Sequence, residues 1–214
     1  ASHDLQEPVR TIISLTDLLQ DSHQKDLNEE GNQIVQFISE SSHRMSRLIK
    51  GLLDYSRLGK NQALEHINLN ELVRTIQEDL NSQVIEKKAT ITCKKLPSIM
   101  GYRLDIKSLF QNLISNAMKF SKAEIAPVIK ISSSEDKEYW YFEVDDNGIG
   151  IEEKDQEKVF QIFQKLHSRN AYEGVGLGLA NCQRSTEIHR GTIEVESTLG
   201  EGSCFRFSIN KKLS

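Results

Sequence analysis

Long apolar runs are missing from this sequence of 214 residues, of which 37% are hydrophobic and 27% are charged. No stretch approaches the roughly 20 apolar residues that a helix needs to span a bilayer, and no secretory signal peptide is apparent. Because it starts directly at a candidate motif, the chain looks like a fragment of a longer protein. We expect this fragment to be cytoplasmic and to make no direct contact with a membrane.

Cysteine and net positive charge are scarce as well. The three cysteines, Cys93, Cys182 and Cys204, are too widely spaced to suggest a disulfide framework or a zinc site, so we expect reduced thiols. The formal net charge is -4, which gives no electrostatic footprint for DNA or an anionic membrane. Nucleic acid is therefore not an expected partner.

Two segments near the start of the chain have helical periodicity. The stripe of the first segment consists of Leu5, Val9, Ile12, Thr16 and Leu19. The stripe of the second consists of Ile34, Ile38, Ser41, Met45, Leu48, Leu52 and Tyr55. A polar stretch, QDSHQKDLNEEGN, separates them, which predicts an antiparallel hairpin over residues 1–59. The apolar faces are too wide for one hairpin to bury, so either dimerisation into a four-helix bundle or packing against the rest of the chain would cover them.

The pattern becomes mixed after SRLGKNQ, and residues 67–214 form the predicted second domain. ELVRTIQEDLNSQVIEKK and the segment from Leu104 to Ser121 predict helices, and ATITCKKL predicts a strand. Four later segments, VIKISSS, YWYFEVDD, TIEVEST and CFRFSI, alternate apolar with polar residues, as strands with one buried face do. The order of elements predicts an α+β sandwich whose mixed sheet carries its helices on one side.

The predicted helix DIKSLFQNLISNAMKFS carries a polar face beside its apolar stripe. Asn112, Asn116 and Lys119 share that face at helical spacing. Amide oxygens can ligate a hard cation such as Mg²⁺, and a lysine beside them can meet phosphate oxygens. A solvated polar face is the alternative interpretation.

The segment YWYFEVDDNGIGI places a carboxylate on the inner face of a strand. Alternation puts Asp146 on the face of Phe142 and Val144, and Asp145 on the other face. A buried carboxylate needs a donor, and the exocyclic amine of adenine is a suitable one. Gly148 and Gly150 then allow a turn and a close approach to a flat ligand; an ordinary Asp-Asn-Gly turn is the alternative.

The segment EGVGLGLA brings three glycines, Gly174, Gly176 and Gly178, to the start of a predicted helix. The first turn of a helix offers free amides and a positive dipole end to phosphates. The spacing matches neither the dinucleotide-binding fingerprint nor a P-loop. A flexible loop is the alternative interpretation.

Together these segments resemble the GHKL ATP-binding fold and, with the opening motif, the sensor histidine kinases. HDLQEP resembles the H box, NLISNAMKF the N box, DDNGIGI the G1 box, VFQIF the F box and GVGLGLA the G2 box. The resemblance covers essentially the whole chain in the family's order, and it is greatest to the phytochrome-like branch. It implies a dimeric four-helix bundle built from the hairpin, followed by a Bergerat-type α/β sandwich with a mixed sheet.

The resemblance also implies the chemistry. His3 would accept a phosphoryl group from ATP, with Asp4 orienting its imidazole, and the receiver domain of a response regulator would take that group onto an aspartate. Asn116 would bind Mg²⁺, and Asn112 would belong to the catalytic residues with His3 and Asp4. The residues expected to contact the nucleotide are Asn112, Asn116, Lys119, Asp146, Gly148, Gly150, Lys165, Arg169, Gly174, Gly176, Leu177 and Gly178.

Several positions depart from the family pattern. Glu7 stands where Thr or Asn is usual, which puts a phosphatase activity of the usual kind in doubt. Val175 stands where the G2 box often has Thr, and Ser185 and Thr186 stand where the family tends to be apolar. None of these positions is a principal ligand. The other five histidines lack ligand spacing, and we expect most of them at the surface.

Two rival functions remain open at this point. A signalling module that has lost phosphotransfer would keep the fold, but His3, Asn116 and Asp146 are intact. An ATPase of the gyrase or chaperone kind needs a glutamate on the N-box helix, whereas Asn112 is an amide and cannot act as a strong base. The sequence therefore favours the kinase.

Overall fold

The computed structural model describes residues 2–60, 62–164, 166 and 176–213, with the backbone alone at Ser2, His3 and Gln24. The chain divides into two compact units, Ala1–Arg57 and Leu58–Ser214.

The first unit is a helical hairpin. Helix α1 spans Ser2–His23 and includes Pro8 near its start, a short 3₁₀ turn spans Gln24–Asp26, and helix α2 spans Glu29–Arg57. The connection is shorter than the polar stretch predicted from the sequence, because both helices extend into it. Asn28 Oδ1 accepts the Gly31 amide at 2.8 Å, so an asparagine cap starts α2 earlier than its apolar stripe does.

The hairpin leaves its larger apolar side chains exposed. The residues buried on α2 are Val35, Ser39 and Ser42, and on α1 Val9 and Thr16 are buried. Exposed fractions between 38% and 69% are found at Leu5, Ile12, Leu15, Leu18, Leu19, Ile34, Phe37, Ile38, Met45 and Leu52. Most of the seam predicted from the sequence of α2 is therefore not the face buried within this hairpin.

The second unit contains seven strands and five helices within the described residues. Its helices are α3 (Leu69–Asp79), α4 (Asn81–Lys87), α5 (Arg103–Lys119), α6 (Glu153–Gln156) and α7 (Gly178–Ile188), and a 3₁₀ turn spans Lys158–Phe160. Its strands are β1 (Glu65–Asn68), β2 (Thr90–Cys93), β3 (Ser98–Gly101), β4 (Val128–Glu135), β5 (Tyr139–Asp146), β6 (Ile193–Thr198) and β7 (Gly202–Asn210).

The main sheet is mixed, as predicted. Its five strands lie in the order β2-β4-β5-β7-β6, and β2 pairs parallel to β4 while the other pairs are antiparallel. The alternation seen in the sequence sets the faces: Phe142 and Val144 are buried, whereas Glu143 forms an ion pair with Arg206 at 3.0 Å. The fold is the predicted α/β sandwich.

The core lies between this sheet and the helices that cover it. Phe110 of α5 contacts Phe142 of β5 and Phe207 of β7, with ring centroids 5.8 Å and 5.3 Å away. These aromatic side chains fix α5 against the centre of the sheet. Helix α5 is the element that carries the predicted amide face, so its position determines the position of the site.

Two features of this unit differ from the sequence predictions. Strands β1 and β3 form a separate antiparallel pair with Ile67 opposite Ile99, and neither strand was predicted from the sequence. The helix predicted over ELVRTIQEDLNSQVIEKK is divided at Leu80, where ψ is 6° and the side chain is buried.

No helix in the part of the chain that the structure describes is both long and apolar enough to cross a membrane. Cys93, Cys182 and Cys204 are free thiols, as expected.

Candidate nucleotide-binding site

The amide face of α5 is half-buried and lies against the start of α7. The amide group of Asn112 donates to Ser108 Oγ at 3.3 Å. Its Oδ1 lies 3.2 Å from the point where a Cβ on Gly178 would be. Helix packing therefore brings the N-box asparagine to the first turn of α7.

Asp146 lies at the inner end of β5. Its Oδ1 accepts the Gly148 amide at 2.8 Å, and the Ser203 amide also donates to the carboxylate. Burial raises the pKa of Asp146, although both amides and the charge of Lys122 favour the ionised form. A half-buried carboxylate held by backbone donors can accept one further hydrogen bond from a ligand.

The glycines after β5 are required by the protein's own backbone. A Cβ on Gly148 would lie 2.6 Å from the Phe120 carbonyl oxygen, and one on Gly150 would lie 2.1 Å from that of Thr198. Gly150 also has a φ of +71°. The contact of Gly148, together with the 3.0 Å hydrogen bond from Ile149 N to Phe120 O, joins the turn to the end of α5, and the contact of Gly150 joins it to the end of β6. The turn holds Asp146 beside the end of α5.

Gly176, before α7, has a comparable role. Gly176 has a φ of +78°, and its carbonyl accepts the Phe163 amide at 2.8 Å. Leu177 is buried and precedes α7 without a side-chain cap, so the first amides of the helix lack intrahelical acceptors. They are suited to bind anionic oxygens.

The structure thus brings two of the predicted segments against the third, which is α5. The contact between Asn112 and Gly178 joins α5 to α7, and the contact between Phe120 and Gly148 joins α5 to the turn after β5. Lys119 Nζ lies 4.6 Å from the Phe120 ring centroid, at the same end of the helix. The sequence patterns did not indicate Lys122, whose charge reaches Asp146, because it follows the helix in an irregular segment.

Some predicted residues lie outside the described part of the chain. Lys165, Arg169 and Gly174 are among them, and so is the His3 side chain, although the backbone at His3 belongs to α1. Asp4 is exposed in the first turn of α1.

The residues present fit a bound magnesium ion at Asn116. This asparagine lies on the half-buried polar face of α5, one turn after Asn112, and its amide oxygen is a hard ligand of the kind that Mg²⁺ takes. Among the described residues, no group of three His, Cys, Asp or Glu side chains could hold a metal ion.

Helix α7 carries buried polar residues on its inner side. Ser185, Thr186 and His189 are almost completely buried. His189 Nδ1 donates to the Ser185 carbonyl at 2.7 Å, and its Nε2 accepts the Tyr102 amide at 3.0 Å, which joins α7 to the turn before α5. Burial lowers the pKa of His189. His189 is the exception to the expectation that most histidines lie at the surface.

Family models match both units of the chain. Residues 1–61 match the His Kinase A (phospho-acceptor) domain. Residues 101–213, more than half of the chain, match the Histidine kinase-, DNA gyrase B-, and HSP90-like ATPase family. The chain belongs to the histidine kinases.

A phytochrome is among the similar proteins, which confirms the resemblance to that branch. Cyanobacterial phytochrome A of Nostoc sp. strain PCC 7120 is 41% identical to this histidine kinase chain over 212 residues. The similarity covers 98% of the kinase chain and 27% of the phytochrome, so the chain spans about a quarter of that relative's length.

Solved structures show the same fold. Full-length ShkA in complex with AMPPNP superposes with a TM-score of 0.72 at 24% identity, over 100% of the kinase chain and 45% of ShkA. ThkA in complex with response regulator protein TrrA gives a TM-score of 0.67 at 23% identity, over 96% of the kinase chain and 59% of ThkA. At these identities the similarity concerns the fold alone.

Proposed function

We propose that this chain is the ATP-dependent protein histidine kinase core of a two-component signalling system. It transfers a phosphoryl group from ATP to His3 and then to an aspartate of a response regulator receiver domain. The observation that carries the proposal is the arrangement of Asn116, Asp146 and the first turn of α7 around one helix, in a chain whose other unit begins with an H box. We further propose that it acts as a homodimer in the cytoplasm.

Each part of the nucleotide has a counterpart in the second unit. Asp146 accepts a hydrogen bond from the exocyclic amine of adenine, and the free amides at the start of α7 bind phosphate oxygens. Asn116 would hold Mg²⁺, which would supply positive charge against the phosphates. Lys119 adds a positive charge about one turn after Asn116 on α5. Positioning and charge neutralisation carry most of the catalysis in such phosphoryl transfers.

The acceptor is the imidazole of His3. In its neutral form, one ring nitrogen attacks the γ-phosphorus of ATP and ADP leaves. Asp4, one residue later on α1, orients the ring by holding the N–H of the other nitrogen. The phosphoryl group on nitrogen is then available to a receiver aspartate. ThkA, a protein of the same fold, is known in complex with a response regulator, which supports this class of partner.

Hydrolysis of ATP in the manner of the gyrase-like ATPases is disfavoured by the residue one turn before Asn116. Asn112 is an amide that donates to Ser108 Oγ, so it cannot act as a general base toward water. This favours a side chain of the protein over water as the acceptor.

Incubation with ATP labelled at its γ-phosphate tests the proposal. The wild-type chain should acquire phosphate that is stable in alkali and labile in acid, as expected for a phosphoryl group on nitrogen. His3→Gln should bind ATP with unchanged affinity and acquire none. Acid-labile label that persists in His3→Gln would contradict the assignment of the acceptor.

A further inference from the structure

Outside the nucleotide site, the carboxylate of Asp105 is notable for its burial. It belongs to the first turn of α5 and is only 2% exposed. Its Oδ2 accepts the Gly59 amide at 2.8 Å, and its Oδ1 accepts Gln62 Nε2 at 2.7 Å. Both donors belong to the segment that joins α2 to β1, residues 58–64, which we call the linker.

A buried carboxylate is stable only where donors satisfy it. The start of α5 supplies the positive end of a helix dipole, and the linker supplies the two hydrogen bonds described above. If the linker moved away from α5, the Asp105 carboxylate would lose both hydrogen-bond donors. The charge on Asp105 therefore holds the linker in a defined place.

A second contact fits the linker to α7. Gly59 has a φ of +70°, and a Cβ there would lie 3.1 Å from the side chain of Ile188. Gly59 therefore contacts both α5 and α7. These two helices also carry Asn112 and Gly178, which face each other at the nucleotide site.

The two hydrogen bonds that Asp105 accepts from the linker are called the anchor, and the free chain between the two units is called the tether. The anchor sets the length of the tether. Helix α2 ends at Arg57, and Gly59 is already fastened, so Leu58 alone lies between them. Without the anchor, the free chain would extend to β1 at Glu65. Those seven residues reach roughly 25 Å at about 3.3–3.6 Å per residue. The tether is thus one residue long when Asp105 holds the anchor closed and seven residues long when the anchor is open.

The tether begins at the same end of the hairpin as His3, the proposed phosphoryl acceptor. Asp17 Oδ1 lies 4.0 Å from His43 Nε2 across the hairpin. His3 is fourteen residues before Asp17, and Arg57 is fourteen residues after His43. Because both helices rise by about 1.5 Å per residue, the first turn of α1 and the last turn of α2 lie at the same end of the hairpin.

We propose that Asp105 is a positioning residue for autophosphorylation: by fastening Gly59 and Gln62 it keeps the tether short and raises the effective concentration of bound ATP at His3. This inference rests on the proposed function. The effective concentration across a tether falls as the tether lengthens beyond the distance it must span. Opening the anchor should therefore slow transfer to His3 without changing the affinity for ATP.

An exchange of the hydrogen-bonding groups tests this inference in the full chain. Gln62→Glu places a second carboxylate against Asp105 and should open the anchor. Gln62→Glu combined with Asp105→Asn restores both hydrogen bonds, because the amide introduced at position 105 can donate to position 62 and accept from Gly59. Gln62→Ala removes one donor without adding charge. Gln83→Glu, at an exposed position of α4, is the matched charge control.

Three quantities are measured for each variant: amide exchange at Gly59, the dissociation constant of ATP, and the single-turnover rate of phosphorylation at saturating ATP. In Gln62→Glu we expect exchange to accelerate about tenfold or more and the rate to fall about three- to tenfold. The dissociation constant should stay within about twofold. Gln62→Ala should show a smaller loss, the double variant should recover, and Gln83→Glu should match the wild type.

An unchanged or increased rate in Gln62→Glu, despite faster exchange at Gly59, would overturn the inference. So would a slow double variant whose Gly59 amide is again protected. A wild-type chain that acquires no phosphate on His3 would instead contradict the proposed function, so the two failures are distinguishable.

Discussion

At the residue scale, Asp146 is the residue that we expect to determine which nucleotide the site accepts. It is the last residue of β5, and its carboxylate can accept a further hydrogen bond besides those from the Gly148 and Ser203 amides. Asp146→Asn replaces a charged acceptor with a neutral amide, and losing a hydrogen bond to a charged group costs roughly 1.5–3 kcal/mol. Calorimetry should show ATP binding weaker by about one to two orders of magnitude. ATP should be preferred over GTP, since guanine has a carbonyl where adenine has its amine.

Asp145 provides the matched control for this prediction. Its carboxylate accepts from the Cys204 thiol; burial and this hydrogen bond together raise the pKa of the thiol to about 12. Asp145→Asn should therefore change ATP affinity much less. Equal losses at the two aspartates, or binding of GTP as tight as that of ATP, would show that the pocket is assigned wrongly.

The register of Asp146 could be predicted from the sequence, but the reason for the neighbouring glycines could not. Alternation along β5 is a local property, and Phe142 and Val144 indicate the inner face. At positions 148 and 150, a Cβ would instead clash with the carbonyl groups of Phe120 and Thr198, respectively. Both contacts depend on the packing of distant segments, which the sequence does not display.

At the scale of an element, α7 contains a buried hydroxyl that lacks a partner among the described residues. Ser185 Oγ is this group, whereas Thr186 Oγ1 donates to the Gln183 carbonyl at 2.8 Å. Ser185→Ala removes the unsatisfied group and favours the helix, so we expect it to stabilise the chain by about 0.5–2 kcal/mol in urea unfolding. Thr186→Val, which loses a hydrogen bond, should stabilise less. A clear loss of stability in Ser185→Ala would contradict the account.

The histidine that ends α7 makes stability depend on pH. Burial is the main cause that lowers the pKa of His189, while the Ser185 carbonyl and the charge of Asp105 act in the opposite direction. Since the pKa is lower in the folded state than its unfolded value of about 6.5, the unfolded state binds the extra proton first. The contribution of His189 is therefore complete above about pH 6.5 and is lost as the pH falls below it.

Urea midpoints at about pH 7.5 and about pH 5.5 measure this dependence. The wild type should lose more stability between the two values than His189→Gln, which keeps an acceptor for the Tyr102 amide but does not titrate. Equal losses would show that His189 does not titrate differently on folding. A polar residue in a helical pattern predicts a surface position, so the sequence could not reveal that this histidine bonds a turn 87 residues away in the chain.

At the scale of the whole molecule, the hairpin exposes a face of α2 with heptad spacing. Ile38, Met45 and Leu52 repeat every seven residues on α2 and are each at least 40% exposed, while the face buried within the hairpin consists of the smaller Val35 and Ser39. Heptad spacing was visible in the sequence because it is a local pattern. Which face pairs within one chain was not, because it depends on contacts between helices.

We therefore expect a homodimer through the heptad face of α2. Light scattering should give twice the mass of the chain at concentrations of tens of micromolar, the order of magnitude of a modest interface. Ile38→Glu would bury an unpaired charge in that interface, which is unfavourable, so its dissociation constant should rise by at least about tenfold. Gln36→Glu adds the same charge at an exposed position on another face of α2 and should remain dimeric. A monomeric wild type, or equal dissociation of both variants, would contradict an interface on this face.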